Sequence, residues 1–422
     1  MIVDRELAKG IINLDSNMKP VLTKLLFTGF GLFAVLSAVF PAAGQTWMRT
    51  SAPITNINWS SVATSADGNQ IVAVAQTPAL AGPIYISSDA GNTWISNALP
   101  LKTWIAVAAS ADGSKLVSLN RGGTTYASTN SGTSWTSSGT SANWYSVGAS
   151  ADGVTLVAAA GSGSLYTSTN SGNSWSAVAG TSGINWRAVA GSADGVKWVA
   201  VNQRSLGGSI YTSTNSGNSW VSNNAPSLGF VAAASSVDGK VLAAAPGGYN
   251  LGNGPICIST NYGATWFSNT SPVLTWTAIA SSADGKKLVA TALKADGSTT
   301  FSNSIYTSTN YGATWNSNTV PAANWSAVAT SADGKKLVAV TIWGGIWTCQ
   351  TTPAPQLNLV PSPGGLTLKW PVPAGNFVLQ QSTDLIAWLD LTNPPGLNYT
   401  NLQNQVILSP ANGCVFYRLK TP

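Results

Sequence analysis

From Trp59 to Gln350 the chain runs through short apolar bursts, each ended by Asp-Gly, Asn or Ser. "KLVAV" and "IYTS" are typical, rich in β-branched and aromatic residues and too short for helices. Such runs predict strands, and the polar clusters between them predict tight turns. No segment downstream of the N-terminal apolar run carries the three-to-four spacing of a long helix.

The bursts recur in register. An Ala-Asp-Gly or Val-Asp-Gly triplet places Asp67, Asp112, Asp152, Asp194, Asp238, Asp284 and Asp333 at intervals of 40 to 49 residues. Eight residues before each Asp stands an aromatic: Trp59, Trp104, Trp144, Trp186, Phe230, Trp276 and Trp325. Each triplet is followed by an apolar strand, a variable loop, an "IYTS"-like strand and a polar octet such as "STNSGNSW". Seven units of about 44 residues with four strands each are the arithmetic of a β-propeller.

The octet repeats because the fold repeats. Its third position holds Asp89, Asn130, Asn170, Asn215, Asn261 and Asn310, and its last holds Trp94, Trp135, Trp175, Trp220, Trp266 and Trp315. An Asp or Asn side chain bonds main-chain N–H groups further along a turn, and Gly accepts a positive φ. The octet resembles the Asp box (BNR repeat, S-x-D-x-G-x-T-W) of sialidase-like propellers and photosystem II assembly factors. That resemblance implies a propeller whose boxes lie away from any active centre. Asn in five of six copies keeps the acceptor and drops the charge, as a structural joint allows.

Six octets serve seven units. After Trp347 no Gly or Trp falls where an octet requires them, so the last unit lacks its fourth strand. "GQTWMRT" at Gly44–Thr50 looks like the back half of an octet, with Trp47 in the column of Trp94. A ring leaves no exposed edge when first and last strands pair. The expectation is an all-β chain: a seven-bladed β-propeller over residues 45–351, closed by its own N-terminal strand. Beyond "TTPAPQ", residues 352–422 read as a linker and about five short alternating strands, a small β-sandwich resembling the fibronectin type III domains of exported bacterial proteins.

Residues 1–44 read as a signal peptide, with Met18 an alternative start. Lys19 and Lys24 precede the uncharged run Leu25–Phe40 and the small-residue exit "PAAG", so cleavage after Gly44 is expected. This predicts a secreted, periplasmic or cell-surface protein without a stable membrane span after cleavage. Cys257, Cys349 and Cys414 are an odd number for a disulfide framework. Cys257 takes a column otherwise filled by Tyr and reads as a buried apolar residue; a Cys349–Cys414 pair stays open.

Composition narrows the chemistry. The chain has no His, and its single Glu, Glu6, precedes the expected cleavage point. Of the remaining eleven Asp, seven sit in the triplets, Asp89 in an octet, Asp384 and Asp390 in the tail, and only Asp296 elsewhere in the propeller. The resemblance to sialidases implies an arginine triad, a Tyr activated by Glu and an acid/base Asp; without a Glu that mechanism transfers to no residue here. A glycosidase pair needs two carboxyls flanking one bond, and a Ser-His-Asp triad needs His. No cluster suits a metal. The expectations are therefore no enzyme, no catalytic residue, no metal and no cofactor. The sequence pI is about 9.2, yet seven of eleven downstream Lys follow a triplet Asp closely and read as solvated, locally neutralised hairpin tips. Without an Arg stripe, nucleic acid is not an expected partner.

Triplets and octets fall on one face of such a ring; the variable loops fall on the other, where specificity resides. Three loops there stand out: "NQRSLGGS" with Gln203 and Arg204, "APGGYNLGNGP" with Tyr249 and Asn250, and "TALKADGSTTFSNS" with Lys294 and Asp296. The residue after each inner aromatic also varies, and Tyr145 and Arg187 are its strongest contact residues. Seven-fold repetition assigns the aromatic ring itself to blade packing rather than sugar stacking. The function expected is a monomeric, exported binding or scaffold protein for an envelope or extracellular protein or glycan. The alternatives are a sialidase-like glycoside hydrolase and a chaperone like the photosystem II assembly factors.

Overall fold

The structure is a computed structural model. It describes residues 22–28, 31–36 and 46–420, except 55–56, 77–80, 98, 100, 162, 204–207, 248–252, 294–303, 319, 322, 351–357, 363–364, 372–377, 384–386, 388, 392–395, 399–402 and 409–414. The described residues are all β, in two compact units, one spanning Gln45–Thr351.

That unit is a seven-bladed propeller. Each blade is a four-stranded antiparallel sheet, in chain order in blades 1–6, for example Trp144–Ala149, Leu156–Ala160, Leu165–Ser168 and Ser176–Ala177 in blade 3. Burial explains the hydropathy rhythm. Second strands such as Leu156–Ala160 are buried at every residue, because a neighbouring blade covers each face. They therefore read as unbroken apolar runs, as strands covered on both faces do. Fourth strands such as Ser176–Ala177 are short and exposed.

Seven apolar clusters fill the seven blade-to-blade interfaces. Blade 1 gives Val72, Val74 and Ile84 against Trp104 and Leu116 of blade 2. Blade 6 gives Val289 and Ile305 against Trp325, Leu337 and Cys349 of blade 7. The inner aromatics are at most 1% exposed, so they are core and offer no ring face to a ligand. Five of them meet the Tyr of their own blade edge-on, with centroids 4.9–5.4 Å apart.

Closure takes the expected form. Thr46–Arg49 pairs antiparallel with Ile346–Gln350 in the register Thr46↔Gln350 through Arg49↔Trp347. Trp47 is buried in the blade 6–7 cluster. A second ring closes nearer the axis. The N–H of the first triplet residue donates to the carbonyl of its counterpart in the next blade: Ala66 to Ala111, then Ala151, Ala193, Val237, Ala283, Ala332 and back to Ala66, all at 2.7–2.8 Å. These residues and their Ser neighbours line a channel mouth of about 260 Å³.

Blade 4 departs from the repeat and shows how tight the packing is. Trp198 stands where other blades have Leu or Ile, and it is 1% exposed. A Cβ on Gly148 would lie 2.8 Å from its ring, and one on Gly191 2.5 Å. Both positions are Ala, Ser or Thr in most other blades. Two glycines thus make room for one indole.

The second unit contains two sheets. One orders Asn358–Ser362, Gly365–Pro371, Gln403–Leu408 and Gly396–Asn398; the other contains Val415–Lys420, Val378–Ser382 and Leu389–Asp390. Leu368, Trp370, Leu379 and Tyr417 are buried in it. The hairpin Leu22–Thr28 and Gly31–Leu36 extends the latter sheet, with Phe33 parallel to Val415. Those strands lie in the stretch read as a leader; sheet strand and cleaved leader are alternative fates for the same apolar residues. Cys257 and Cys349 are buried free thiols, both pushed up to about 11 by burial, and Cys414 lies outside the described residues.

Adding one methyl at Gly191 overpacks the Trp198 site. Gly191→Ala should cost about 1–3 kcal/mol, measured by denaturant unfolding, and Trp198→Leu in the same chain should recover most of that loss.

Candidate functional site

The repeated turns use up the acidic side chains of the propeller's described residues. In every triplet the preceding Ser hydroxyl donates to the Asp, as Ser110 does to Asp112 and Ser150 to Asp152, both at 2.6 Å. That Asp oxygen also accepts the N–H two residues on, and the Ser oxygen accepts the N–H five residues on, as from Val154 and Thr155. Burial by itself would raise Asp112 and Asp238. Hydrogen bonds from Ser110 and Ser114, and from Ser236 and Lys240, outweigh it and hold both carboxyls below the usual carboxylate range.

The octets are built the same way. Ser87 donates to Asp89 at 2.8 Å, and Asp89 accepts both the N–H (2.8 Å) and the hydroxyl (2.7 Å) of Thr93. The Asn copies reverse one bond. Asn130 Oδ1 still accepts from Ser134 N at 2.9 Å, while its Nδ2 donates to Ser134 Oγ at 2.8 Å. A hydroxyl serves either polarity, so Asn replaces Asp with no bond lost. Asn170, Asn215, Asn261 and Asn310 repeat this arrangement. The residue after each Asp or Asn also has positive φ, 56–62°, beyond the Gly expected from sequence.

Four of the seven triplet lysines are not free tips, while Lys240 and Lys286 are exposed as expected. Lys115, Lys197 and Lys287 reach the carbonyls of Asp152, Asp238 and Asp333 in the following blade at 2.8–3.0 Å, and Lys336 reaches Asn69 at 2.6 Å. Burial lowers Lys287 and Lys336, partly opposed by Asp333 and by Asp67. They staple blades together, a role the local charge pattern concealed.

On the opposite face, all seven inner strands carry a bulge at the residue after the aromatic, as between Trp144 and Ser146 and between Trp186 and Ala188. A bulge leaves one residue outside the ladder and re-aims its side chain. Ser60, Thr277 and Ser326 use that freedom to donate to the aromatic's carbonyl in the next blade, at 2.6–3.0 Å. Tyr145 and Arg187 point two larger groups from the same position. The Tyr145 ring lies so close over Gly161 that a Cβ there would be 2.2 Å from it. The Arg187 guanidinium sits 4.3 Å above the ring centroid, and that of Arg121 is 5.8 Å away. Both are within cation–π reach.

Arg121, on the short turn between the second and third strands of blade 2, was missed by sequence reasoning; only its place in a variable-face turn marked it. Neither arginine makes an ion pair among the described residues, and Arg187 Nε is buried without a hydrogen-bond partner among them. Gln203 does not project as expected. It is 3% exposed, donates to the Gly247 carbonyl at 3.2 Å, and leaves its Oε1 without a partner among the described residues. Arg204, Tyr249, Asn250, Lys294 and Asp296 lie outside the described residues. Among those described, no three acidic, His or Cys side chains gather as a metal site.

Comparison with solved structures defines the class of protein: a β-propeller with the fold of YCF48 and of a xyloglucanase. YCF48 from Cyanidioschyzon merolae matches with TM-score 0.55 and 16% identity, over 72% of this chain and 98% of that one. YCF48 bound to D1 peptide matches at 0.55 and 15%, over 75% and 99%. The GH74 xyloglucanase from Xanthomonas campestris matches at 0.57 and 14%, over 78% of this chain and 59% of that one. No family model and no curated protein sequence matches the chain. These likenesses carry the fold alone.

The octet geometry makes a sharp prediction. Asp89→Asn should change stability by less than about 0.5 kcal/mol, whereas Ser87→Ala, which strands the Gly91 N–H that Ser87 caps at 2.9 Å, should cost about 1–3 kcal/mol in the same unfolding assay.

Proposed function

We propose that the protein is an exported, non-catalytic binding propeller that holds a carboxylate-bearing segment of a partner protein against Arg121, Tyr145 and Arg187. The observation that carries this reading is the pair of guanidiniums on one tyrosine ring with no acidic side chain paired to them among the described residues. Arg is a fork-shaped donor matched to a carboxylate, and stacking on Tyr145 pre-orients the Arg187 fork. The peptide seen on YCF48 supports peptide capture as a use of this fold.

The non-catalytic part rests on the commitments of the carboxyls. The described triplet and octet carboxylates are bonded within their own turns, and Asp390 accepts from Gln380 at 2.5 Å. A general acid at neutral pH needs a raised pKa; Asp89, Asp112 and Asp238 are shifted the other way. A xyloglucanase shares the fold, so hydrolysis is the competing reading, with Asp296 its only propeller carboxyl outside a repeated turn.

Pull-down from envelope extract should capture a partner, and Arg121→Gln with Arg187→Gln should weaken that capture at least tenfold at physiological salt. Capture unchanged by both substitutions, or sugar release from xyloglucan that Asp296→Asn abolishes, would overturn the reading. For the export part, mass spectrometry of the secreted chain should find an N-terminus at Gln45; an intact Met1 or Met18 start would count against it.

A further inference from the structure

The turn face is not uniform, and its differences repeat together. The residue at the octet's left-handed corner is Ala90, Ser131, Ser171 and Ser216 in blades 1–4, but Tyr262 and Tyr311 in blades 5 and 6. The corner N–H donates to the carbonyl two residues past the triplet Asp. That partner is Asn69, Ser114, Val154 and Val196 in blades 1–4, but Lys240 and Lys286 in blades 5 and 6. Two adjacent blades therefore couple a Tyr to a Lys where four others have small or neutral residues.

The fold does not ask for these side chains. A left-handed backbone disfavours a bulky residue, yet both tyrosines adopt it, with φ of 62° and 59°. These residues are 45% and 43% exposed, and Lys240 and Lys286, bonded to them through the main chain, are exposed as well. The Lys197 ammonium lies 4.9 Å from the Tyr262 ring centroid while bonded to the Asp238 carbonyl, which fixes that ring's surroundings. Charge follows the same division. The triplet and octet turns of blades 1–3 carry Asp67, Asp89, Asp112 and Asp152 against Lys115, net −3. Those of blades 4–7 carry Lys197, Lys240, Lys286, Lys287, Lys335 and Lys336 against Asp194, Asp238, Asp284 and Asp333, net +2.

We infer that blades 5 and 6 present on this face a second binding surface, for an acidic polysaccharide of uronic-acid type. Each Tyr offers a ring for a sugar face and each neighbouring Lys an ammonium for its carboxylate. The pair recurs one blade along, as a polymer of repeating units requires. The described arginines Arg121 and Arg187 lie on the other face, and this face carries lysine point charges, which suit anionic groups spread along a chain. This surface is independent of the site proposed for the variable face.

Blades 3 and 4 supply the test, since their residues already occupy these positions in the folded protein. In the full chain, Tyr262→Ser, Tyr311→Ser, Lys240→Val and Lys286→Val convert blades 5 and 6 to the pattern of Ser171/Val154 and Ser216/Val196. Affinity electrophoresis in polygalacturonate should retard the parent chain, with dextran as the neutral control. The fourfold variant should lose at least tenfold in affinity with an unchanged Tm, while Arg121→Gln with Arg187→Gln should retain it. The inference fails if the parent is retarded no more than in dextran. It also fails if the fourfold variant, or its two Tyr→Ser changes alone, stays within twofold of the parent, or if single-stranded DNA binds more tightly than polygalacturonate.

Discussion

Everything in the propeller depends on closing a circle. Seven twisted sheets around an axis have no stable open form of the same shape, because an open end would expose an apolar blade face and an unpaired strand edge. Two devices close this one at different radii. Near the axis, the seven hydrogen bonds from Ala66 round to Ala332 fix each blade's angle to the next. At the rim, Thr46–Arg49 zips onto Ile346–Gln350 and sets Trp47 into the last interface. The inner ring needs a small residue at each position, which is why Ala fills six places and Val one. The outer zip needs a strand from the far end of the propeller, which is why an octet appears split between its two ends.

The same constraint settles where charge goes. Each blade must turn sharply beside the axis, and a Ser–Asp pair makes that turn by capping three main-chain or hydroxyl donors at once. Asp therefore serves the backbone, and four of the lysines that follow it reach across to the next blade's turn instead of into solvent. A chain that spends its acids this way keeps few for other chemistry. Among the described residues of the propeller, what departs from the repeat is cationic and aromatic: Arg121, Arg187 and Tyr145 on one face, Tyr262 and Tyr311 on the other.

Much of the fold was legible because its columns are spaced by whole blades. The inner aromatics, the Asp-Gly turns and the half-octet at Trp47 each carry a residue type that one backbone position demands. The site was less legible. Tyr145 and Arg187 were singled out because their column varies from blade to blade, but their stacking follows from a bulge, and a bulge leaves no residue-type signature. Gln203 looked like a loop residue and is buried, since its strand's end tucks under Gly247. Arg121 was overlooked because a four-residue turn carries little sequence to weigh. The lysine staples were misread for a similar reason: their partners are carbonyls in another blade, which no local charge count registers.

Repetition also provides an internal measure of what each side chain is for. A residue required by the joint must appear in every blade, as Ser and Asp do in the triplets. A residue that the joint merely tolerates appears in some blades and is replaced in others without disturbing the geometry, as at the left-handed corners, where φ stays within 56–62° whether Ala, Ser or Tyr is present. At such a position a bulky, exposed side chain in an unfavourable backbone region needs a cause outside the fold. That reasoning separates Trp276, whose column is aromatic in every blade and buried, from Tyr262, matched by Tyr in one other blade only and exposed. The proposed sites are built from departures from the repeat on both faces, each held in position by the invariant turns and strands around it.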